Sequence, residues 1–221
     1  MGIVITSYRA QLARSPQAGR HLLAQFDAAS VVVYQAHRSS IGRFAAAHGY
    51  FGGEFSLSRM SWIKPSFLWM MYRSGWGTKT DQDTVLAVRL RRDAFDEILR
   101  AAVPSSFDDS AYESEELWRH AVALSSARFQ WDPDRDPSGR PLDRRAIQLG
   151  LRGEVLRRYA SEGIVAVEDI SGFVAAQRRH VAEQGWPRLD VPREEEYAVL
   201  DPSLARSLGL PADSSVGQPG T

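Results

Sequence analysis

The spacing of apolar residues changes from segment to segment, and the changes predict strands alternating with helices. "SVVVYQA" (Ser30–Ala36) is a β-branched run of strand length, and "TVLAVRL" (Thr84–Leu90) is another. "ARFQWDP" reads as a strand ended by Pro133, and "RRAIQLGL" and "IVAVEDI" read as two more. "EFSLSRMSW" alternates weakly and completes about six strands. Helical spacing places Leu22, Leu23 and Phe26 on one face of Ala18–Phe26. "SSIGRFAAAHG" has Ser39 or Ser40 as N-cap and Gly49 as its stop. Further helices are expected in "RRDAFDEILRAAV", around Leu117–Leu124, in "EVLRRYASEG" and in "SGFVAAQRRHVAEQG".

The stretch "RMSWIKPSFLWMMYRSGWGTK" (Arg59–Lys79) stands apart. Pro65 suits the first position of a helix that ends at Gly75. Phe67, Met70 and Met71 form one stripe, while Leu68, Trp69 and Tyr72 cover most of the rest, which predicts a buried helix. Its flanks carry Arg59, Lys64, Arg73 and Lys79. A cation beside a helix N-terminus opposes the macrodipole unless an anion is shared there. A phosphate or pyrophosphate is therefore expected near Arg59, Lys64 and Ser66.

The predicted fold class is α+β (mixed α/β), a mixed sheet of about six strands flanked by helices. Residues 1–29 are expected to form an N-terminal helical segment, residues 30–186 one catalytic-type domain, and residues 187–210 a C-terminal extension packed on it. Residues 211–221, "PADSSVGQPGT", have the composition of a disordered tail.

With 221 residues, 43% of them hydrophobic, the chain can bury one sizeable core. The 27 basic and 27 acidic residues cancel, so no overall field draws the protein to nucleic acid or membrane. Nearly all the cations are Arg; a GC-rich genome and bidentate anion binding both account for that. The absence of cysteine excludes disulfides and thiolate chemistry. No apolar run approaches the ~20 residues of a membrane span and no signal peptide opens the chain, so a cytoplasmic protein is expected.

The five histidines are scattered and show no metal-ligand spacing. GxSxG, GxGxxG and GxxxxGK[ST] are all missing. In "QWDPDRDPSGRPLDRR", acids alternate with arginines, which fits either a solvated turn or a loop closing over a ligand. In the second case Trp131 offers a stacking face and Asp132 an acceptor. Gln35 and Gln148 are polar residues inside apolar strands, either satisfied amides or the walls of a polar pocket. His37 follows the first of these strands.

"VYQAH", the Arg59–Lys79 stretch, "FQWDPDR" and "RAIQLGL" occur in an order that resembles the family catalogued as domain of unknown function 4291, from about Val31 to Ile170, with "EEEYAVLDPSLARSLGL" fitting its end. More distantly, the layout resembles the ADP-ribosyltransferase fold, a split mixed sheet that binds NAD in a cleft. That resemblance implies cofactor contacts from Tyr34, His37, Arg59, Ser61, Lys64, Ser66, Trp131 and Arg145, with Arg59, Lys64 and Arg145 on the pyrophosphate. It places Gln35 where the fold's His stands and Gln148 where its Glu stands, so that either Asp132 supplies the negative charge, the chemistry is altered, or nucleotide is bound without turnover. The implied function is transfer of ADP-ribose to a nucleic acid or nucleotide acceptor. The alternatives are a non-catalytic nucleotide- or nucleic-acid-binding module and a hydrolase or phosphoryl-transfer enzyme on another α/β fold.

Overall fold

The computed structural model describes residues 2–109 and 111–211. The chain runs β1 (Ile5–Ser7), α1 (Tyr8–Arg14), β2 (Gly19–Arg20), β3 (Leu23–Phe26), β4 (Ser30–His37), α2 (Ser39–His48), β5 (Ser61–Ile63), α3 (Phe67–Ser74), β6 (Thr84–Arg91) and α4 (Arg92–Ala101). It continues through β7 (Ala102–Pro104), α5 (Glu115–Leu124), β8 (Ala127–Arg135), β9 (Pro141–Leu151), α6 (Gly153–Ala160), β10 (Ile164–Asp169), α7 (Ser171–Arg178), β11 (Asp190–Pro192), β12 (Glu195–Glu196) and α8 (Pro202–Ser207). The result is a mixed α+β architecture.

One five-stranded sheet has the order β10-β6-β4-β3-β12 and is antiparallel throughout. The other has the order β2-β9-β8-β7, with β5 also paired to β9; its β2–β9 and β7–β8 pairs are parallel. A small third sheet pairs β1 with β11. The two large sheets meet at one β-bridge. Tyr34 N–H donates to the Lys64 carbonyl at 2.7 Å, and Lys64 N–H donates to the Tyr34 carbonyl at 3.1 Å. This bridge holds the end of β5 against β4.

Both faces of β4 are buried, so its apolar run is continuous rather than alternating. Val31 and Val33 join one cluster with Leu86, Phe95, Leu99, Ile147 and Leu149. Val32 and Tyr34 join another with Phe67, Met70 and Met71. The stripe expected on α3 is core: Phe67, Met70 and Met71 are 1%, 2% and 0% exposed. Gly75, at φ 59°, ends the helix in the left-handed conformation.

Several expectations are corrected. Ala18–Phe26 is not a helix: Gly19 has φ 90°, and Leu23–Phe26 is a strand between β4 and β12. Tertiary pairing overrides a helical pattern only three residues strong. The N-terminal helix is Tyr8–Arg14, capped by Ser7. Pro65 is not the first helical residue of α3; Phe67 is, and Ser66 is an N-cap whose side chain makes no capping bond. Tyr72 is exposed, stacked on Trp69 with the Arg135 guanidinium 4.0 Å from its ring centre. The weak strand of "EFSLSRMSW" shrinks to β5. β8 runs past Pro133 to Arg135 with an irregularity there. Asp134 and Asp136 are not in a solvated turn but buried, paired with Arg144 and Arg140. Strands exceed the expected six because β1, β2, β3, β7, β11 and β12 have only two to four residues each, too few to show a period. The tail beyond Pro211 lies outside the described residues.

Candidate functional site

Where β4 leaves the core, its last residues face β5, β8, β9 and α3 across a cavity of about 510 Å³. That volume falls within the range of small-molecule sites. β4 contributes Gln35 and His37, and the segment through β5 contributes Arg59, Ser61 and Lys64. α3 adds Met70 and Arg73; β8 and β9 add Gln130 and Gln148, and Gln82 lies before β6.

The amides are organised. Gln35 is 3% exposed and is tied to the protein. Its Nε2 donates to Ser61 Oγ at 2.8 Å and to the Trp62 carbonyl at 3.1 Å, and its Oε1 accepts from Tyr159 Oη at 2.7 Å. It is a satisfied buried amide that locks β5 to β4. Gln130 and Gln148 face each other in the β8–β9 register. Both donate to Asp132, at 2.9 and 2.7 Å, so the carboxylate is clamped behind the two amides that line the cavity.

The cations are organised differently. Lys64 is 4% exposed, yet its amine makes no hydrogen bond or ion pair among the described residues. Burial lowers its pKa from the usual 10.5 to about 8; the nearby Arg73 adds to this, and Asp132 opposes it. Arg59 and Arg73 also form no ion pair with any described residue. His37 packs its ring against Phe51 and Phe55, and its buried Nε2 has no partner. Burial, and then the charge of Lys64, hold its pKa near 4, so the ring is neutral. Three unpaired cations and a neutral imidazole thus surround one polar space.

Other expected site residues lie elsewhere. Tyr34 faces the opposite side of β4 from Gln35, edge-on to Phe67 at 5.5 Å, with its hydroxyl unpartnered and its pKa raised by burial. Trp131 faces away from Asp132 and donates its Nε1 to the Leu208 carbonyl at 2.7 Å. Arg145 is exposed beside β2. Ser66 adjoins a separate void of about 10 Å³, where Phe67 N–H donates to Glu194 Oε1 at 2.6 Å. The α3 N-terminus, where an anion was expected, therefore faces the chain's own carboxyl group. Gln130 was missed, although it sits two residues before Asp132 on the same strand face; strand pairing is the signal that could have found it.

A family comparison matches residues 21–197 to Domain of unknown function (DUF4291), a span that holds every wall of the cavity. The chain belongs to this family. A search of curated proteins finds no match. No helix among the described residues is long and apolar enough to cross a membrane.

Proposed function

We propose that this DUF4291 protein binds NAD in the 510 Å³ cavity and transfers ADP-ribose to a nucleotide or nucleic acid acceptor. The observation that carries the reading is the convergence of Arg59, Lys64 and Arg73 without a carboxylate partner. Arg59 and Arg73 are exposed and Lys64 is buried; all three line the cavity, and a pyrophosphate can engage several of them through charge-assisted hydrogen bonds. The buried, unpartnered Nε2 of His37 and the unpaired amine of Lys64 on the cavity wall fit a ligand that supplies acceptor atoms. The resemblance of "VYQAH" and the sequence layout to the ADP-ribosyltransferase fold is what favours NAD among such anions in this reading.

NAD bound there would supply an ADP-ribosyl group attached to a good leaving group. In this reading Arg59, Lys64 and Arg73 hold the pyrophosphate, and His37, being neutral, adds a hydrogen bond without further charge. Asp132, fixed by Gln130 and Gln148, stabilises positive charge as it grows on the ribose. A carboxylate fixed behind the lining amides does so at longer range, without reorganisation at the moment of reaction. Gln35 keeps Ser61 and the β5 backbone in place rather than touching the reacting atoms.

A second reading, nucleotide binding without turnover, is favoured by one observation: the amides of Gln35 and Gln148 are engaged with protein partners, and among the described residues no Glu lines the cavity. Calorimetry with NAD and ADP-ribose, together with chromatography of released nicotinamide in the presence of oligonucleotide and nucleotide acceptors, separates the readings. Binding with release supports transfer. Binding without release supports the second reading. No binding of either compound at millimolar concentration overturns both.

A further inference from the structure

Lys64 has properties that anion binding does not require. A lysine that only attracts phosphate works best fully charged and solvent-accessible. Lys64 is instead 4% exposed, bounded by Tyr34 through paired backbone bonds, and on the cavity wall with no partner for its amine among the described residues. The charged groups that influence it are Arg73, which disfavours its protonation, and Asp132, which favours it. The other lysine, Lys79, is a contrast: it is exposed, and its amine donates to the Arg73 carbonyl at 2.8 Å.

We infer that Lys64 is a nucleophilic amine that captures a small anionic aldehyde or ketone in the cavity as an imine. The inference needs only the cavity and not the NAD reading. The uncharged amine attacks the carbonyl carbon as the C=O π pair moves to oxygen. The resulting carbinolamine then loses water, which carries away the carbonyl oxygen and the two hydrogens originally on nitrogen, leaving C=N. No oxidant or reductant is involved. Arg59 and Arg73 supply the charge that selects a phosphate- or carboxylate-bearing carbonyl compound over a neutral one. A lysine made reactive by desolvation and a neighbouring cation is a known route to this chemistry. With a pKa near 8, about a quarter of Lys64 is uncharged at pH 7.5, against about a thousandth of a lysine at 10.4.

The chain has only these two lysines, so the test is direct. The folded protein is treated with pyridoxal 5′-phosphate as an anionic aldehyde, reduced with borohydride, digested and mapped by mass spectrometry. Labelling at Lys64 should exceed that at Lys79 at least about tenfold at pH 7.5, despite burial. A neutral aldehyde should lose most of that preference, and unfolding in urea should abolish it. Label confined to Lys79 and the α-amine, or spread equally over both lysines of the folded protein, overturns the inference. Selective Lys64 labelling by the neutral aldehyde as well as the anionic one retains the nucleophile and overturns the anion preference. Because NAD binding is read by calorimetry on unlabelled protein, either idea can fail alone.

Discussion

Glu194 Oε1 accepts the backbone N–H of Phe67 at 2.6 Å, closing the N-terminus of α3 from a segment 127 residues away in sequence. Gln11 holds the same residue by its backbone: Gln11 Nε2 donates to the Glu194 carbonyl at 2.9 Å, and Glu194 N–H donates to Gln11 Oε1 at 3.1 Å. Burial lifts the Glu194 pKa to about 8; the Phe67 hydrogen bond pulls it down, Asp134 pushes it up and Arg144 pulls it down. A cap that is protonated at neutral pH serves the helix through a hydrogen bond rather than through charge, and it keeps external anions from this end of α3.

This gives a pH signature. A carboxyl group whose folded pKa lies above its unfolded value stabilises fully below about 4.5, and that contribution is lost as pH rises, disappearing once pH passes about 8. The unfolded chain releases the proton first, so the slope is at most ~1.4 kcal/mol per pH unit. Glu194→Gln should remove it. Urea unfolding of both proteins from pH 5 to pH 8 should show the variant gaining on the parent as pH rises. A difference that does not change with pH would rule out a protonated Glu194.

Lys64 has the opposite sign. Its folded pKa of about 8 lies below the usual 10.5, so below pH 8 the folded state carries the whole cost of a buried charge, and the parent gains stability as pH rises from 8 to 10.5. Lys64→Met keeps the volume and removes the charge. It should raise stability at pH 7 by ~1 kcal/mol or more, with the advantage shrinking toward pH 10.5. It should also weaken NAD binding about tenfold or more. Lost stability at pH 7 would mean that the lysine is a structural partner.

α3 and β4 were legible because each carries its evidence locally: an apolar surface with a Gly stop in one case, a β-branched run in the other. β3 was not, since its strand character comes from pairing with β4 and β12. The site was half legible for a single reason. Gln35, His37, Arg59, Ser61, Lys64 and Gln148 meet in one cavity, while Tyr34 and Trp131, cofactor contacts by the resemblance, do not line it. Adjacent strand residues face opposite sides, so the period of two already separated Tyr34 from Gln35 and Trp131 from Asp132. Glu194 on Phe67 and Tyr159 on Gln35 were invisible, because 127 and 124 residues separate the partners.

Tyr159→Phe tests the anchoring of β5. It removes the hydroxyl that donates to Gln35 Oε1 at 2.7 Å, between side chains 2% and 3% exposed. A buried carbonyl left without its donor costs about 1–3 kcal/mol. Denaturant unfolding should show a loss in that range, and NAD affinity should fall as Ser61 and Trp62 loosen. An unchanged midpoint would mean that Gln35 finds another donor or does not need one.

Asp132→Asn separates binding from chemistry. The two oxygens of Asp132 accept from Gln130 Nε2 and Gln148 Nε2. Asn offers one acceptor oxygen, so one amide must turn or lose its bond, costing about 1–3 kcal/mol of stability. The variant also lacks the negative charge that lies behind Gln130 and Gln148, while the three cations remain. NAD affinity should therefore stay within about threefold of the parent or tighten, and nicotinamide release should fall by ~10²–10³, the usual loss when one preorganised electrostatic contact is removed. The same change acts on Lys64, because Asp132 favours its protonated form. In the variant the amine loses its proton more readily, and imine trapping by pyridoxal 5′-phosphate should reach half its maximum at a lower pH than in the parent. Release at the parental rate would remove Asp132 from the reaction. A trapping profile that does not move would show that Asp132 has no electrostatic hold on Lys64.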